Sequence, residues 1–127
     1  MATPETKTER RILKQYLARY FKAKDRQKIL NNRLGKGEAS EIEARIREQA
    51  KEAERSANEV MDIIERLPAH STERTIMELR HLDFMAWSEI NRTVHLTATP
   101  CYEYYRRGLD ALLKDAQVRA ALGLPTN

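Results

Sequence analysis

One row of apolar and small residues dominates the middle of the chain and restricts how the protein can fold. Its members recur every three or four residues: Ile42, Ile46, Ala50, Ala53, Ala57, Val60, Ile64 and Leu67. This spacing is close to a heptad repeat and places all of them on one side of an α-helix. A long helix with a single apolar side must bury that side, so the row predicts a helix that packs against a second helix.

The segment before this row supplies the second helix. Thr3 to Glu5 looks like a helix start, with Thr as N-cap and Pro at the first helical position. Apolar pairs then recur at helical spacing from Ile12 to Leu34, and Gly35 to Gly37 should end the helix. Ser40 to Glu43 matches a capping box that starts the next one. The short Gly-rich connection predicts a long antiparallel hairpin over residues 1–68, with small residues in the seam allowing close approach.

Residues 69–127 should form a second domain of shorter helices. Ser71 can cap a helix over Thr72–Leu82, a two-turn helix is expected over Ala86–Thr93, and a longer helix should start after Thr97 or Thr99. Only four Gly and four Pro occur in the chain, too few for a turn-rich β fold. The sequence therefore predicts an all-α protein in which a hairpin precedes a three-helix unit.

Positive charge is concentrated at the N-terminus. Residues 7–36 contain eleven Lys or Arg against two acids, residues 37–67 nine acids against five bases, and residues 68–127 seven of each. A basic segment of this kind attracts phosphates without reading sequence. The same segment is equally explained as a solvated helix face that pairs with the acidic helix after it.

Several classes of protein and site are not expected. No run of 18 apolar residues is present, and the first residues lack a signal peptide's apolar stretch, so we expect a cytoplasmic protein without membrane spans. No Gly-rich phosphate loop occurs, and nothing in the sequence activates a Cys–His nucleophile. His70, His81, His95 and Cys101 are too scattered for metal-ligand spacing. We therefore expect no enzyme activity, no cofactor and no metal site.

The stretch from Phe84 to Leu109 has the pattern of a helix-turn-helix. In that motif one helix braces across the DNA backbone while the second lies in the major groove, exposing residues of its first turns. The exposed set expected here is Ala98, Thr99, Tyr102, Glu103, Arg106 and Arg107. The opposite face, with Cys101, Tyr104, Tyr105 and Leu109, should pack. Tyr102 fits either role.

The residue types of the exposed set suit contacts with DNA. Glu103 can accept from a cytosine amine, and Ala98 or Thr99 can touch a thymine methyl. Arg106 and Arg107 lie farther along the helix and suit phosphates, although an ordinary solvated surface also explains them. Ser88 and Thr97 can bind phosphate through their hydroxyls, which Thr97 would supplement with helix N-terminal amides.

These residues carry a resemblance to a known family. The segment ERTIMELRHLDFMAWSEINRTVHLTATPCYEYYRRGLDALL, Glu73 to Leu113, is similar to the helix-turn-helix of sigma factor region 4. Together with the preceding hairpin, the chain resembles phage transcriptional regulators of the ArpU/RinA type. The resemblance implies a recognition helix over 97–107 and core positions at Trp87, Ile90, Val94 and Leu109. Asn91 and His95 depart from the pattern, which usually has Ala and then Gly or Asn there.

The leading hypothesis is a sequence-specific DNA-binding transcription regulator of phage or prophage genes, an activator by resemblance, located at the nucleoid of the host bacterial cell. Its expected partner is double-stranded DNA. The hairpin would contact host RNA polymerase, form a homodimer, or add nonspecific grip through Lys22, Lys24, Arg26 and Lys28. Two alternatives stay open: a phage DNA-packaging adaptor similar to a small terminase subunit, and a helical protein-interaction module that does not bind DNA.

Overall fold

A computed structural model describes residues 3–33 and 39–126, and all regular secondary structure in these two ranges is α-helical. The helices are α1 (Pro4–Leu17), α2 (Arg19–Arg33), α3 (Ala39–Ile64), α4 (Thr72–His81), α5 (Trp87–Thr93), α6 (Ala98–Leu113) and α7 (Ala116–Leu122). The expected all-α class is confirmed. Within the described ranges, no helix is both long and apolar enough to cross a membrane.

Side-chain caps place two of the helix starts where the sequence predicted them. The Thr3 hydroxyl accepts from the backbone N–H of Thr6 at the start of α1, with Pro4 at the first helical position. The Ser71 hydroxyl accepts from the N–H of Arg74 at the start of α4. Each hydroxyl satisfies an N–H that has no acceptor within the helix. The predicted Gly35–Gly37 turn and the side chain of Ser40 lie outside the described residues.

Helices α2 and α3 lie against each other and run antiparallel. Arg19 at the start of α2 pairs with Glu59 late in α3 at 2.9 Å, while Gln49, earlier in α3, donates to the carbonyl of Ala23 at 3.2 Å. In the apolar row of α3, Ala53 and the residues from Val60 onward are buried, whereas positions 46, 50 and 57 are only half-buried. The side chain of Ile42 is not among those described.

The N-terminal arm differs from the expected continuous helix because it is divided at Ala18. The amide of Ala18 still donates to Lys14 and its carbonyl accepts from Lys22, at 3.0 and 3.1 Å, so the interruption is a single residue. The two halves nevertheless pack on different partners. α1 lies against α6 and α7, whereas α2 lies against α3. The physical reason is the distribution of apolar residues: α1 buries Leu13 and Leu17 completely, while α2 buries only Ala23.

One hydrophobic core joins the two ends of the chain. Its buried members come from α1, from the end of α3 and from every later helix: Leu13, Leu17, Val60, Ile63, Ile64, Leu67, Ile76, Met77, Ile90, Cys101, Tyr105, Leu109, Leu112, Leu113 and Val118. The predicted division between residues 1–68 and 69–127 therefore crosses a continuous core. Burial of this apolar surface is the main force that holds α1 on the C-terminal helices.

Two ion pairs fix α1 in place on this core. Arg10 makes two hydrogen bonds to the carboxylate of Asp110 on α6, both 2.7 Å long. Arg119 on α7 donates to both carboxylate oxygens of Glu9, at 3.1 and 2.8 Å. A guanidinium that bonds both carboxylate oxygens sets the orientation of the two helices as well as their distance.

Candidate nucleic-acid interface

The connection between α5 and α6 is a tight turn. His95 has a φ of 57°, in the left-handed region that Gly adopts freely and that Asn, Asp and His adopt more often than other residues. The amide of Leu96 closes the turn by donating to the carbonyl of Asn91 at 3.0 Å. His95 stands where the helix-turn-helix pattern usually has Gly or Asn, and its backbone takes the conformation those residues favour. His95 therefore takes the backbone conformation that Gly or Asn would take at this position.

Helix α5 is held on the core by its apolar side. Ile90 is completely buried, and the Trp87 ring meets the Tyr105 ring edge-on with 4.9 Å between centroids. The Arg80 guanidinium lies over the Trp87 ring, with 5.0 Å between Cζ and the ring centroid. Trp87 and Val94 pack against the core as partly buried residues. The core positions expected at Trp87, Ile90, Val94 and Leu109 are thus all in contact with the core.

Helix α6 has one buried and one exposed face. Cys101, Tyr105, Gly108, Leu109 and Leu112 are buried, at intervals of three or four that follow the helical repeat. The absence of a side chain at Gly108 lets α4 approach, because a Cβ there would lie 3.0 Å from Met77 Cε and 3.3 Å from Glu73 Cβ. These contacts fix the rotation of α6 about its axis and so decide which residues point outward.

All eight residues that the sequence proposed as DNA contacts are exposed: Ser88, Thr97, Ala98, Thr99, Tyr102, Glu103, Arg106 and Arg107. Thr97 occupies the N-cap of α6, but its hydroxyl makes no capping hydrogen bond and is free to act as a donor or acceptor. Six of the eight lie on one side of α6. The structure therefore places these six residues on one outer surface of α6.

The tyrosines of α6 take different positions, which the sequence left partly open. Tyr105 is buried, as expected, and its hydroxyl lies 2.8 Å from Nε2 of His81. Tyr104 is half-buried beneath the Arg107 guanidinium, 5.3 Å from the ring centroid. Tyr102 is 44% exposed, and its hydroxyl accepts from Lys14 Nζ at 2.8 Å. Tyr102 is thus a surface residue that α1 holds in place.

Helix α1 borders this surface without covering it. Its contact with the exposed residues is made by Lys14 at Tyr102, and Thr99, Glu103 and Arg107 stay exposed beside it. Burial of this side of α6 under the N-terminal helices would have removed it as a candidate interface. In the described residues it remains open.

Sequence reasoning missed a second group of basic residues beside α6. Lys7, Arg10, Arg11 and Lys14 of α1 line a groove with Tyr102, Arg106 and Leu109 of α6. The sequence attributed nonspecific grip to the basic residues of α2, which are exposed but pack beside α3. A usable signal was present in the spacing of positions 7, 11 and 14, which places three cations on one helix face.

The titratable side chains of Cys101 and His81 are buried beneath the surface. Burial raises the pKa of the Cys101 thiol, which disfavours the reactive thiolate. Burial, with the nearby Arg80 and Lys14, lowers the pKa of His81 to about 4, so its ring is neutral at pH 7. In residues 3–33 and 39–126, no group of three or more His, Cys, Asp or Glu could hold a metal ion.

Comparisons with known proteins add no relative: no family model matches the chain, and no curated protein or solved structure matches it at a significant level.

Proposed function

We propose that this protein is a sequence-specific DNA-binding transcription regulator whose reading element is the α5–turn–α6 helix-turn-helix. The observation that carries the proposal is the exposure of the whole predicted contact set, six of whose eight residues lie on one side of α6, while the other side of α6 is anchored in the core. A helix that enters the major groove needs this combination of an open face and a rigid support.

The residues on the surface suggest how DNA would be read. The first half of α6 would lie in the major groove, where Glu103 accepts from a cytosine amine and Thr99 touches a thymine methyl. Arg106 and Arg107, one turn farther on, would bind phosphates on the groove edge. Ser88 and Thr97 would add hydroxyl contacts to the backbone, with Thr97 beside the N-terminal amides of α6.

The hairpin of α2 and α3 is the part we assign to a protein partner. Phe21 and Ile29 on α2 and Met61 on α3 are large apolar side chains that are 54, 46 and 39% exposed. A second copy of the chain or RNA polymerase would bury them. The resemblance to phage regulators with a sigma region 4-like unit, and hence to activators of phage or prophage genes, supports this assignment.

Selection of bound sequences from a random duplex pool tests the reading function. The wild-type protein should enrich a defined site, and Glu103→Ala should change the preferred base at one position. Loss of one direct base contact should reduce discrimination there by about 1–3 kcal/mol. Glu54→Ala, which removes an exposed acid from α3, is the matched control and should select the wild-type site. Enrichment of no site by the wild type would contradict the proposal.

A packaging adaptor is the second candidate, favoured by the same exposed apolar residues on the hairpin. Such adaptors also join a helix-turn-helix to a helical oligomerisation element. The mass in solution separates the two functions, because a ring of many subunits indicates packaging, whereas a monomer or dimer indicates regulation.

A further inference from the structure

The groove between α1 and α6 is the most strongly charged concave feature beside the proposed reading surface. It has a volume of about 370 Å³, and five cationic side chains line it: Lys7, Arg10, Arg11, Lys14 and Arg106. No Asp or Glu is among its lining residues. A cleft lined by charges of one sign concentrates the field and attracts counter-ions of the opposite sign.

Four of these five cations have no acidic partner among the described residues. Arg10 is paired with Asp110, and Glu9 of α1 is paired with Arg119. In contrast, Lys7, Arg11, Lys14 and Arg106 form no ion pair with any carboxylate in the described part of the chain. The positive charge of the groove is therefore available to an anion from outside.

The groove is continuous with the surface that we assign to DNA reading. Tyr102 and Arg106 belong to both, and the hydrogen bond from Lys14 Nζ to the Tyr102 hydroxyl ties the two together. The ion pair between Arg10 and Asp110 holds the basic face of α1 at a fixed position along α6. A ligand bound to the first turns of α6 would pass close to this row of cations.

We propose that the α1–α6 groove binds phosphates of the DNA backbone that flank the bases read by α6, with Lys7, Arg11 and Arg106 as the principal contacts. This inference rests on the proposed function. It assigns sequence-independent DNA binding to the basic residues of α1 rather than to those of α2, so α1 acts as part of the DNA-binding unit.

The test compares the salt dependence of DNA binding for three proteins. They are the wild type, the groove variant Lys7→Gln/Arg11→Gln and the control Arg47→Gln/Lys51→Gln, which removes the same two kinds of charge from the exposed side of α3. Fluorescence anisotropy would follow binding to a labelled duplex with the selected site and to one of scrambled sequence. Circular dichroism melting confirms that the exposed substitutions leave the fold intact.

The groove variant should lower the slope of log K against log salt by about two on both duplexes, because each lost phosphate contact releases about one counter-ion fewer. It should keep the selected base preference, and the control should bind like the wild type. An unchanged slope with intact site selection would overturn the groove assignment and leave the reading function standing. Equal losses in the control would also overturn it, since the effect would then be one of net charge. Failure of the wild type to bind either duplex at low salt would refute both proposals.

A second measurement locates the contact on the DNA. Replacing single phosphates of the selected site by uncharged methylphosphonates should weaken wild-type binding most at the phosphates that occupy the groove. At those positions the replacement should change the DNA affinity of the Lys7→Gln/Arg11→Gln variant little, because this variant already lacks the contact. Equal costs for both proteins at every position would contradict a phosphate contact by these residues.

Discussion

Acidification should destabilise this protein through a single buried imidazole. His81 is the last residue of α4, is 9% exposed, and shares a 2.8 Å hydrogen bond with the Tyr105 hydroxyl. Removal from water disfavours the charged imidazolium, and the nearby Arg80 and Lys14 add repulsion. Together they lower the pKa of His81 from 6.5 to about 4.

The direction of the effect follows from which state binds the proton more tightly. Between about pH 6.5 and 4 the unfolded chain carries more charge on this residue than the folded protein does. The free energy of unfolding therefore falls as the pH falls through this window, and it changes no further from this source below about pH 4. The whole shift corresponds to about 3 kcal/mol, of which about 2 kcal/mol should be lost at pH 5. For a chain of this size, that loss lowers Tm by roughly 7 °C.

Urea unfolding at several pH values between neutral and about pH 4 measures this effect. His81→Gln removes the titrating group while an amide remains able to bond Tyr105, so the variant's stability should be nearly flat where the wild type declines. His70→Gln, at an exposed loop position, is the control and should follow the wild type. The carboxylates of Glu9 and Asp115 have lowered pKa values because they accept hydrogen bonds from Arg119 and Arg66. Their stability contributions are lost as the pH falls through and below their ordinary values of 4.5 and 3.8, which overlaps only the acid end of the His81 window. The difference between the wild type and His81→Gln isolates the His81 contribution, because both proteins carry these two carboxylates.

Parallel stability curves for the wild type and His81→Gln would refute the reasoning. A direct measurement remains even if the variant folds poorly, since the imidazole protons of His81 can be followed by NMR in the wild type. Their titration near the ordinary histidine value would show that the ring is not shielded as the structure indicates.

Three further outcomes follow from named contacts. Gly108→Val should lower the free energy of unfolding by about 1–3 kcal/mol, because it places a branched side chain against Met77. The control Ala111→Val, at an exposed position of the same helix, should lower it by well under 1 kcal/mol. Similar decreases of the urea midpoint in both variants would contradict the close packing at Gly108. Arg106→Ala should weaken binding to every duplex and reduce the salt slope by about one, and unchanged salt dependence would exclude a phosphate contact. Asp115→Ala should lower the free energy of unfolding by about 1 kcal/mol, because it removes the N-cap of α7, whose carboxylate accepts from two backbone amides. An unaltered melting temperature would show that this cap does not stabilise the protein.

Most of the candidate interface could be predicted from the sequence, because local periodicity sets the buried and exposed faces of α6. On α6, the intervals between Cys101, Tyr105 and Leu109 mark one side as buried, and the residues between them must then point outward. The helix starts at Thr3 and Ser71 could be predicted in the same way, since an N-cap depends on a hydroxyl three residues from the amide that it satisfies. The intervals on α6 left only the role of Tyr102 open, because Tyr102 follows Cys101 directly at the edge of the apolar stripe, and the structure makes it a surface residue.

The sequence alone determined the helical class, the helix starts at Thr3 and Ser71 and the outward side of α6, all of which depend on interactions within a few residues. It did not indicate the divisions between α1 and α2 or between α6 and α7, which make four C-terminal helices in place of the expected three. Only the tertiary structure decided that α1 leaves the arm of the hairpin and joins the C-terminal helices. The contacts that place it there, Arg10 with Asp110 and Glu9 with Arg119, join residues 100 and 110 positions apart. Their pairing depends on how the apolar stripes of α1, α6 and α7 close one core, which the order of residues in any one segment does not specify.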